Sequence, residues 1–442
     1  MPVMRRRTGF RGGRVKEHCA ERQKGSRRFC AWVQAGRVCS CHQASPGGAL
    51  VIGQGRRMPL PCAPQDWLRA FLFIRAIQEE LIVDKYRVGI VGATGMVGQR
   101  FISLLKDHPW FQVTCVAASA RSAGKKYAEA VGDRWAFEWA IPADVADMVV
   151  MDASDIDAVG EKVDFIFCAV DMKKDEIRAL EEAYAKHEIP VVSNNSACRG
   201  IEDVPMVVPE INAAHLEVID AQRKRLGTKR GFIAVKPNCS IQSYVPAITP
   251  LMDFGPEKMS VCTYQAISGA GKTFKTWPEM VDNVIPYIGG EDEKSENEPL
   301  KIWGHVEDGK IVNATEPVIS AQCLRVSAAD GHMAAVSVSF KNKPSIEQIK
   351  ERWANFETEA QRLGLPSAPK PFLQYFEDPA RPQTRLDRDF QNGFGVSIGR
   401  LREDKIFDYR FVCLSHNTVR GAAGGAMLTA ELLCAKGYIT KN

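Results

Sequence analysis

The stretch "YRVGIVGATGMVGQRFISLL", Tyr86 to Leu105, decides the fold. A mostly apolar strand pattern, Tyr86 to Val91, leads through Gly92, Gly95 and Gly98 into a helical pattern at Phe101, Leu104 and Leu105. The spacing is G-x-x-G-x-x-G, a relative of the dinucleotide fingerprint. Glycines let the backbone approach a pyrophosphate, and a helix N-terminus offers free N–H groups and a positive dipole end. Gly92, Thr94, Gly95, Met96, Val97 and Gly98 are the candidate cofactor-binding residues of this turn.

Downstream, "FQVTCVAAS" reads as the next strand and runs into "ASARSAGKK". A NAD-specific site would present an acidic side chain to the ribose here. Ser119, Arg121, Ser122 and Lys125 stand there instead, a cationic, hydroxyl-rich set suited to a 2′-phosphate, so NADP(H) is the expected cofactor. "VDFIFCAV", "KDEIRALEEAYAKHE" and "IPVVSNN" continue the alternation of strand and helix. The expected fold class is α/β, a Rossmann-type doubly wound nucleotide domain, followed by an α+β domain with a mixed sheet. "RVSAADGHMAAVSVSF", Arg325 to Phe340, alternates like a strand of that second sheet.

"FIAVKPN" reads as a buried strand ending at Pro237, and "SIQSYVPAITPL" as the first turns of a helix or of a tight helical segment. Between them stands Cys239, where a helix N-terminus would lower the thiol pKa from its ordinary value near ~8.5 and could receive an oxyanion. Upstream, Arg199 in "NNSACRGIEDVP" could fork an oxyanion with its planar guanidinium.

The chain has 442 residues, 45% of them hydrophobic, enough for two domain cores. Its thirteen cysteines are odd in number and scattered, without a signal-peptide pattern, so a reducing, cytoplasmic setting is expected. Charge is uneven: residues 1–82 hold 13 Arg and 2 Lys against 4 Glu and 1 Asp, a net +10 within a chain of net +5. The body is therefore slightly acidic and gives no footing for nucleic-acid binding. The first 84 residues show no sustained period, and three readings fit them: an organellar transit peptide, a basic tail, or spurious upstream sequence. Cys39, Cys41 and His42 lack a second ligand pair, so no metal is expected. Trp67 to Val83 is too charged and too short to cross a membrane.

"GATGMVG", "ASARSAGK", "NNSACRG", "VPEIN", "KPNCS", "TYQAISGAG" and "RVSAADGHMA" occur in this order, and together they resemble the aspartate-semialdehyde dehydrogenase family, in its archaeal and fungal-like branch. The resemblance covers residues 85 to 440. It implies Cys239 as nucleophile with Asn238 beside it, and Gln265 holding substrate and acyl intermediate. His332 would be the acid/base, and Arg325 would grip the substrate carboxylate. "ENEPLKIWG" fits the family's E-x-x-K, which implies Glu298 for the substrate amino group and Lys301 for phosphate alongside Arg199. Ser268 and Gly269 would touch the nicotinamide side of the cofactor, and Asn417 in "HNTVRGAAGG" would lie near it.

The resemblance further implies NADPH-dependent reductive dephosphorylation of L-aspartyl 4-phosphate to L-aspartate 4-semialdehyde through a cysteine thioester. That reaction belongs to the aspartate pathway to lysine and diaminopimelate, threonine and methionine. It implies a homodimer or homotetramer acting on small molecules, with no metal and no membrane. Malonyl-CoA reductase, of the same fold and thioester chemistry, and a catalytically silent structural or regulatory paralogue are the alternatives. N-acetylglutamyl-phosphate reductase is disfavoured because its "PGCY" surroundings are absent. The expected layout is an N-terminal extension, 1–84, and a nucleotide domain, 85–236, completed by the C-terminal segment 414–442. A catalytic and dimerisation domain, 237–413, lies between them.

Overall fold

The structure is a computed structural model and describes residues 49–52, 56–59 and 84–442. The chain divides into two compact units, Met1–Glu79 and Glu80–Asn442. Of the first, the described backbone is an antiparallel pair, β1 (Ala49–Ile52) and β2 (Arg56–Pro59). The Cys39, Cys41, His42 cluster and the stretch Trp67 to Val83 lie outside the described residues.

The second unit contains two large sheets and a two-stranded ribbon, β11 (His305–Glu307) with β12 (Lys310–Val312). The first is parallel throughout and has the order β5-β4-β3-β6-β7-β8. Its strands are β3 (Tyr86–Val91), β4 (Phe111–Ala118), β5 (Met151–Asp152), β6 (Phe165–Cys168), β7 (Val191–Ser193) and β8 (Ile233–Val235). Phe165, Ile166, Phe167 and Cys168 are all fully buried, as expected of a strand covered on both faces. Strand order reverses at β3 and β6, which opens the crevice where doubly wound sheets bind nucleotides. Helix α1 (Met96–Leu105) starts at that crevice with Gly95 as its N-cap and no side-chain cap, so its first N–H groups stay free.

The second sheet is mixed and, beside three central strands, holds β10 (Val284–Ile285), β15 (Leu373–Phe376), β16 (Val396–Glu403) and β17 (Tyr409–Ser415); its order is β10-β13-β9-β14-β17-β16-β15. At its centre β9 (Pro256–Gln265) runs parallel to β13 (Val318–Val326) and antiparallel to β14 (His332–Phe340). "RVSAADGHMAAVSVSF" is thus the end of one strand, a turn, and a second strand. Burial alternates strictly along β14. One apolar core runs from the first sheet into the second. The other lies on the opposite face of the first sheet and takes in the C-terminal helix α3 (Gly424–Ala435). Helix α2 (Glu291–Ile302) packs against β13.

Candidate active site

Chain register assembles the first group of side chains. Arg325 pairs with Gln265 across β13 and β9, and Met333 pairs with Tyr264 across β14 and β9. Alternation therefore puts Gln265, Arg325 and His332 on one buried face at one end of the sheet. His332 is fully buried; its Nδ1 accepts from the Ala266 N–H at 3.1 Å, which leaves the proton on Nε2. That Nε2 has no partner among the described residues. Burial, and then the Arg325 guanidinium, push His332 well below the ordinary histidine value. The Arg325 guanidinium donates to the Ala266 carbonyl at 2.8 Å, the one hydrogen bond of its side chain among the described residues. A Cβ on Gly269 would stand 2.8 Å from His332 Nε2 and 2.7 Å from Arg325 Nη1, so only glycine leaves these two groups clear.

Cys239 follows β8 by four residues and caps a three-residue 3₁₀ turn, Ser240–Gln242. Short segments Val245–Ile248 and Thr249–Phe254 come next instead of one long helix. The large helix-end field expected at the thiol is therefore missing. Burial pushes Cys239 above the ordinary thiol value and Glu291 adds to this, while Lys236, Arg199 and Arg325 pull it back. The turn is pinned by Asn238, whose Oδ1 accepts from Ser240 N at 2.7 Å and from Ser240 Oγ at 2.6 Å. Pro299 inside α2 has no N–H for the Ser295 carbonyl, and Tyr244 Oη donates to that carbonyl at 2.6 Å. The proline gap thus fastens α2 to the segment that carries Cys239.

A cavity of about 280 Å³ lies over Cys239, lined also by Met96, Val97, Asn194, Arg199, Ser268 and Gly269. Asn238, Glu291, Lys294, Asn417 and Gly421 complete the wall that matters chemically. Gln265, Arg325 and His332 stand in a second layer behind it. Asn417 ties the wall together: it donates to Ser268 Oγ at 2.8 Å and accepts from Gly331 N at 2.7 Å.

The E-x-x-K expectation named Glu298 and Lys301. The motif occurs twice on α2, seven residues apart and hence on one face: Glu291-x-x-Lys294 and Glu298-x-x-Lys301. It is the first copy that lines the cavity over Cys239. Glu291 accepts from Asn238 Nδ2 at 3.0 Å, Gln265 Nε2 at 3.2 Å and Lys294 Nζ at 2.7 Å. Burial pushes its carboxyl up, but Lys294, Gln265 and Asn238 outweigh this and hold it below the usual range. The second copy is engaged by protein groups. Lys301 spends all three donors on the carbonyls of Arg199, Ile201 and Val204, at 2.7, 2.6 and 3.0 Å, so none remains for phosphate. Glu298 is occupied by Arg199 Nη1 at 2.9 Å and by the Asn238 N–H. Glu291 and Lys294 went unnoticed because the sequence carries the same spacing twice, and only packing tells which copy faces the cysteine. Asn194, Thr418, Gly421 and Ala422 were also missed; the first two sit in loops and the glycine and alanine in the π-helical segment Val419–Ala423, none with a periodic signal.

The crevice fits a dinucleotide. Gly92 adopts φ +91°, and a Cβ there would meet the Ala169 carbonyl oxygen at 2.3 Å; at Gly95 the nearest atom to such a Cβ is 3.5 Å away, which leaves backbone free to face a ligand. Ser119, Arg121 and Ser122 lie on the loop that follows β4, at the crevice edge. Between the crevice and Arg199, both amide atoms of Asn194 are buried without a partner. No group of three or more His, Cys, Asp or Glu among the described residues is arranged for a metal ion, and no described helix is long and apolar enough to cross a membrane.

A dinucleotide crevice beside a cysteine, with a second mixed sheet, defines the semialdehyde dehydrogenase class. Comparison with known families agrees: "Semialdehyde dehydrogenase, NAD binding domain" matches residues 87–219, and "Semialdehyde dehydrogenase, dimerisation domain" matches residues 248–420. The aspartate-semialdehyde dehydrogenase of Aspergillus fumigatus is 44% identical over 364 residues, 80% of this chain and 99% of that one. That of Archaeoglobus fulgidus is 43% identical over 355 residues, 79% of this chain and 98% of that one. The crystal structure of the Candida albicans enzyme with NADP superposes with a TM-score of 0.73 at 39% identity, covering 80% of this chain and all of that one. The chain belongs to the aspartate-semialdehyde dehydrogenase family. The malonyl-CoA reductase and silent-paralogue readings find no support in these comparisons.

Proposed function

We propose that this protein is an NADP-dependent aspartate-semialdehyde dehydrogenase that reductively dephosphorylates L-aspartyl 4-phosphate through a Cys239 thioester, the step of the aspartate pathway that leads to lysine, threonine and methionine. One observation carries the assignment of roles: Cys239, Glu291, Lys294 and Arg199 share a single cavity whose far wall, Met96, Ser268 and Asn417, belongs to the cofactor side.

In this reading the Cys239 thiolate attacks the acyl carbon, the C–O bond to phosphate breaks, and phosphate leaves with the bonding pair. Arg199 and Lys294 receive it. Arg199 is already braced by bonds to Lys236 O, Glu298 and Asn194 O, so its fork is preorganised. Glu291 faces the substrate amino group, and the unspent donors of Arg325 face its carboxylate. Gly92, Thr94, Gly95, Met96, Val97 and Gly98 would hold the pyrophosphate end of NADP(H), Ser119, Arg121 and Ser122 its 2′-phosphate, and Ser268, Gly269 and Asn417 its nicotinamide end; bound there, it would supply the hydride for the thioester carbon. His332, neutral and with Nε2–H clear, donates a hydrogen bond to the oxyanion of the tetrahedral adduct, which collapses to the aldehyde as the C–S bond breaks and the thiolate leaves. Gln265 braces Glu291, and Asn238 fixes the cysteine turn.

We divide the body into a nucleotide-binding lobe, 85–236 with 414–442, and a catalytic lobe, 237–413. The outward face of the second sheet carries exposed Val318 and Tyr264, and suits pairing with a second copy of the chain. The deciding assay compares phosphate-dependent reduction of NADP with aspartate semialdehyde against oxidation of NADPH with malonyl-CoA. Activity with the first only is expected, and Cys239→Ala should abolish it while NADPH still binds. Turnover by that variant would remove Cys239 from the mechanism.

A further inference from the structure

Lys236 has no part in the mechanism above, yet it is among the most enclosed charged residues of the protein, with 2% of its surface exposed. It stands between β8 and the cysteine turn, and its ammonium donates to the Pro237 carbonyl, the one partner it has among the described residues. An ammonium has three donors, and burying one with a single carbonyl partner is costly unless an anion is at hand. Two glycines at the start of α3 locate it. A Cβ on Gly421 would touch Cys239 Cβ at 2.9 Å, and one on Gly425 would touch Lys236 Cε at 3.2 Å. Gly421 lies in the π-helical segment Val419–Ala423 and Gly425 on the first turn of α3, so the thiol and the lysine both lie against the stretch of chain that leads into that helix.

We propose that Lys236 is the positioning residue that makes Cys239 ionisable, supplying beneath the cysteine turn the positive charge that its short 3₁₀ segment cannot. The proposal rests on Cys239 being the nucleophile. The groups around the pair are few. Arg199, from the loop after β7, Glu298, on α2, and Arg420, before α3, face Lys236; Glu291, on α2, and Arg199 and Arg325 face Cys239. Glu291 opposes a thiolate, and Arg199 and Arg325 have oxyanions to bind, so the charge left for the sulfur is that of Lys236. Burial brings the ammonium down to about 7, with Cys239 opposing that fall. The two charges are thus reciprocal: a thiolate holds the proton on Lys236, and protonated Lys236 favours the thiolate.

The test reads sulfur ionisation directly, apart from turnover. Alkylation of Cys239 by iodoacetamide is followed from pH 6 to 10 by mass spectrometry of its peptide, in the full-length protein, Lys236→Met and Lys236→Arg, with NADPH binding as control for the fold. Lys236→Met is expected to slow alkylation at pH 8 about tenfold and to move the rise in rate to higher pH, whereas Lys236→Arg stays within about threefold of the parent. An unchanged profile in Lys236→Met overturns the proposal, and so does an equal loss in both variants, because shape rather than charge would then matter. If Lys236→Met loses NADPH binding, Lys236→Gln takes its place under the same criteria. Failure of Cys239→Ala to abolish turnover would instead overturn the mechanism and leave this ionisation measurement standing.

Discussion

Replacing Lys301 and Lys294 separately by Met distinguishes the two copies of E-x-x-K. Lys301→Met removes three bonds from one ammonium to the carbonyls of Arg199, Ile201 and Val204, at 2.7, 2.6 and 3.0 Å. A hydrogen bond to a charged group contributes about 1.5–3 kcal/mol, but three on one buried ammonium do not add, because its desolvation is spent once; a net loss of about 3 kcal/mol is expected. Unfolding entropy near 2.1 cal/mol/K per residue over the residues from 84 to 442 amounts to roughly 0.75 kcal/mol/K, so Tm should fall by about 4 °C. Lys294 differs: its side chain is 30% exposed and its one ion pair is with Glu291 at 2.7 Å. Lys294→Met should change Tm by under about 1 °C, since such pairs contribute about 0–1 kcal/mol.

Kinetics should show the reverse order. If Lys294 receives the phosphate, its loss removes a charge-assisted contact and raises KM for phosphate roughly 10- to 100-fold. The assay is phosphate-dependent NADP reduction at saturating aspartate semialdehyde, run beside thermal unfolding of the same preparations. A normal phosphate KM in Lys294→Met, together with a raised KM and unchanged Tm in Lys301→Met, would refute the assignment and return the phosphate to Lys301.

Gly421→Ala puts a methyl 2.9 Å from Cys239 Cβ and 3.3 Å from its Cα, so the cysteine must move; kcat should fall about 100-fold with NADPH affinity nearly unchanged, as read by steady-state kinetics and fluorescence titration. Glu210→Gln leaves the Arg420 guanidinium, 1% exposed and bonded to Glu210 and Gln242, without its counter-charge, and should cost about 3–5 kcal/mol in denaturant unfolding. Burial lowers His416 to about 4 and pushes His332 well down, so below pH 6.5 the unfolded chain takes up protons that the folded one refuses. Stability is therefore complete above pH 6.5 and declines towards pH 4, by about 3 kcal/mol from His416 alone; a flat Tm over that window would contradict it.

How far the sequence could be read depended on whether the signal was local. The glycine turn after β3 and the alternation along β14 are fixed by neighbours a few residues away, and both were legible. Cys239 stood out for the same reason, from Pro-Asn before it and a helical run after it. The E-x-x-K copies were not separable, because Glu291 and Glu298 share a helix face and differ only in what lies opposite, the side-chain amides of Gln265 and Asn238 in one case and the Arg199 loop with the Asn238 backbone N–H in the other. Nor was the thiol's environment legible. A helix start was expected to lower its pKa, but the helical run breaks into short segments, and burial with Glu291 pushes the thiol up.

That reversal bears on how the site works. A thiol held up by burial is mostly protonated in the ligand-free protein, and so is protected from adventitious oxidants and alkylators. The cations that favour its ionisation are shared with ligands: Arg199 is placed for phosphate and Arg325 for carboxylate, and each loses part of its pull on the sulfur once it holds an anion. Lys236 lies outside the cavity wall and has no ligand anion assigned to it, so its charge, when it holds its proton, is left to the cysteine, with Arg420 pinned beside it by Glu210. Ionisation is then set from beneath the turn while substrate is gripped from above, and the two can be altered separately by substitution.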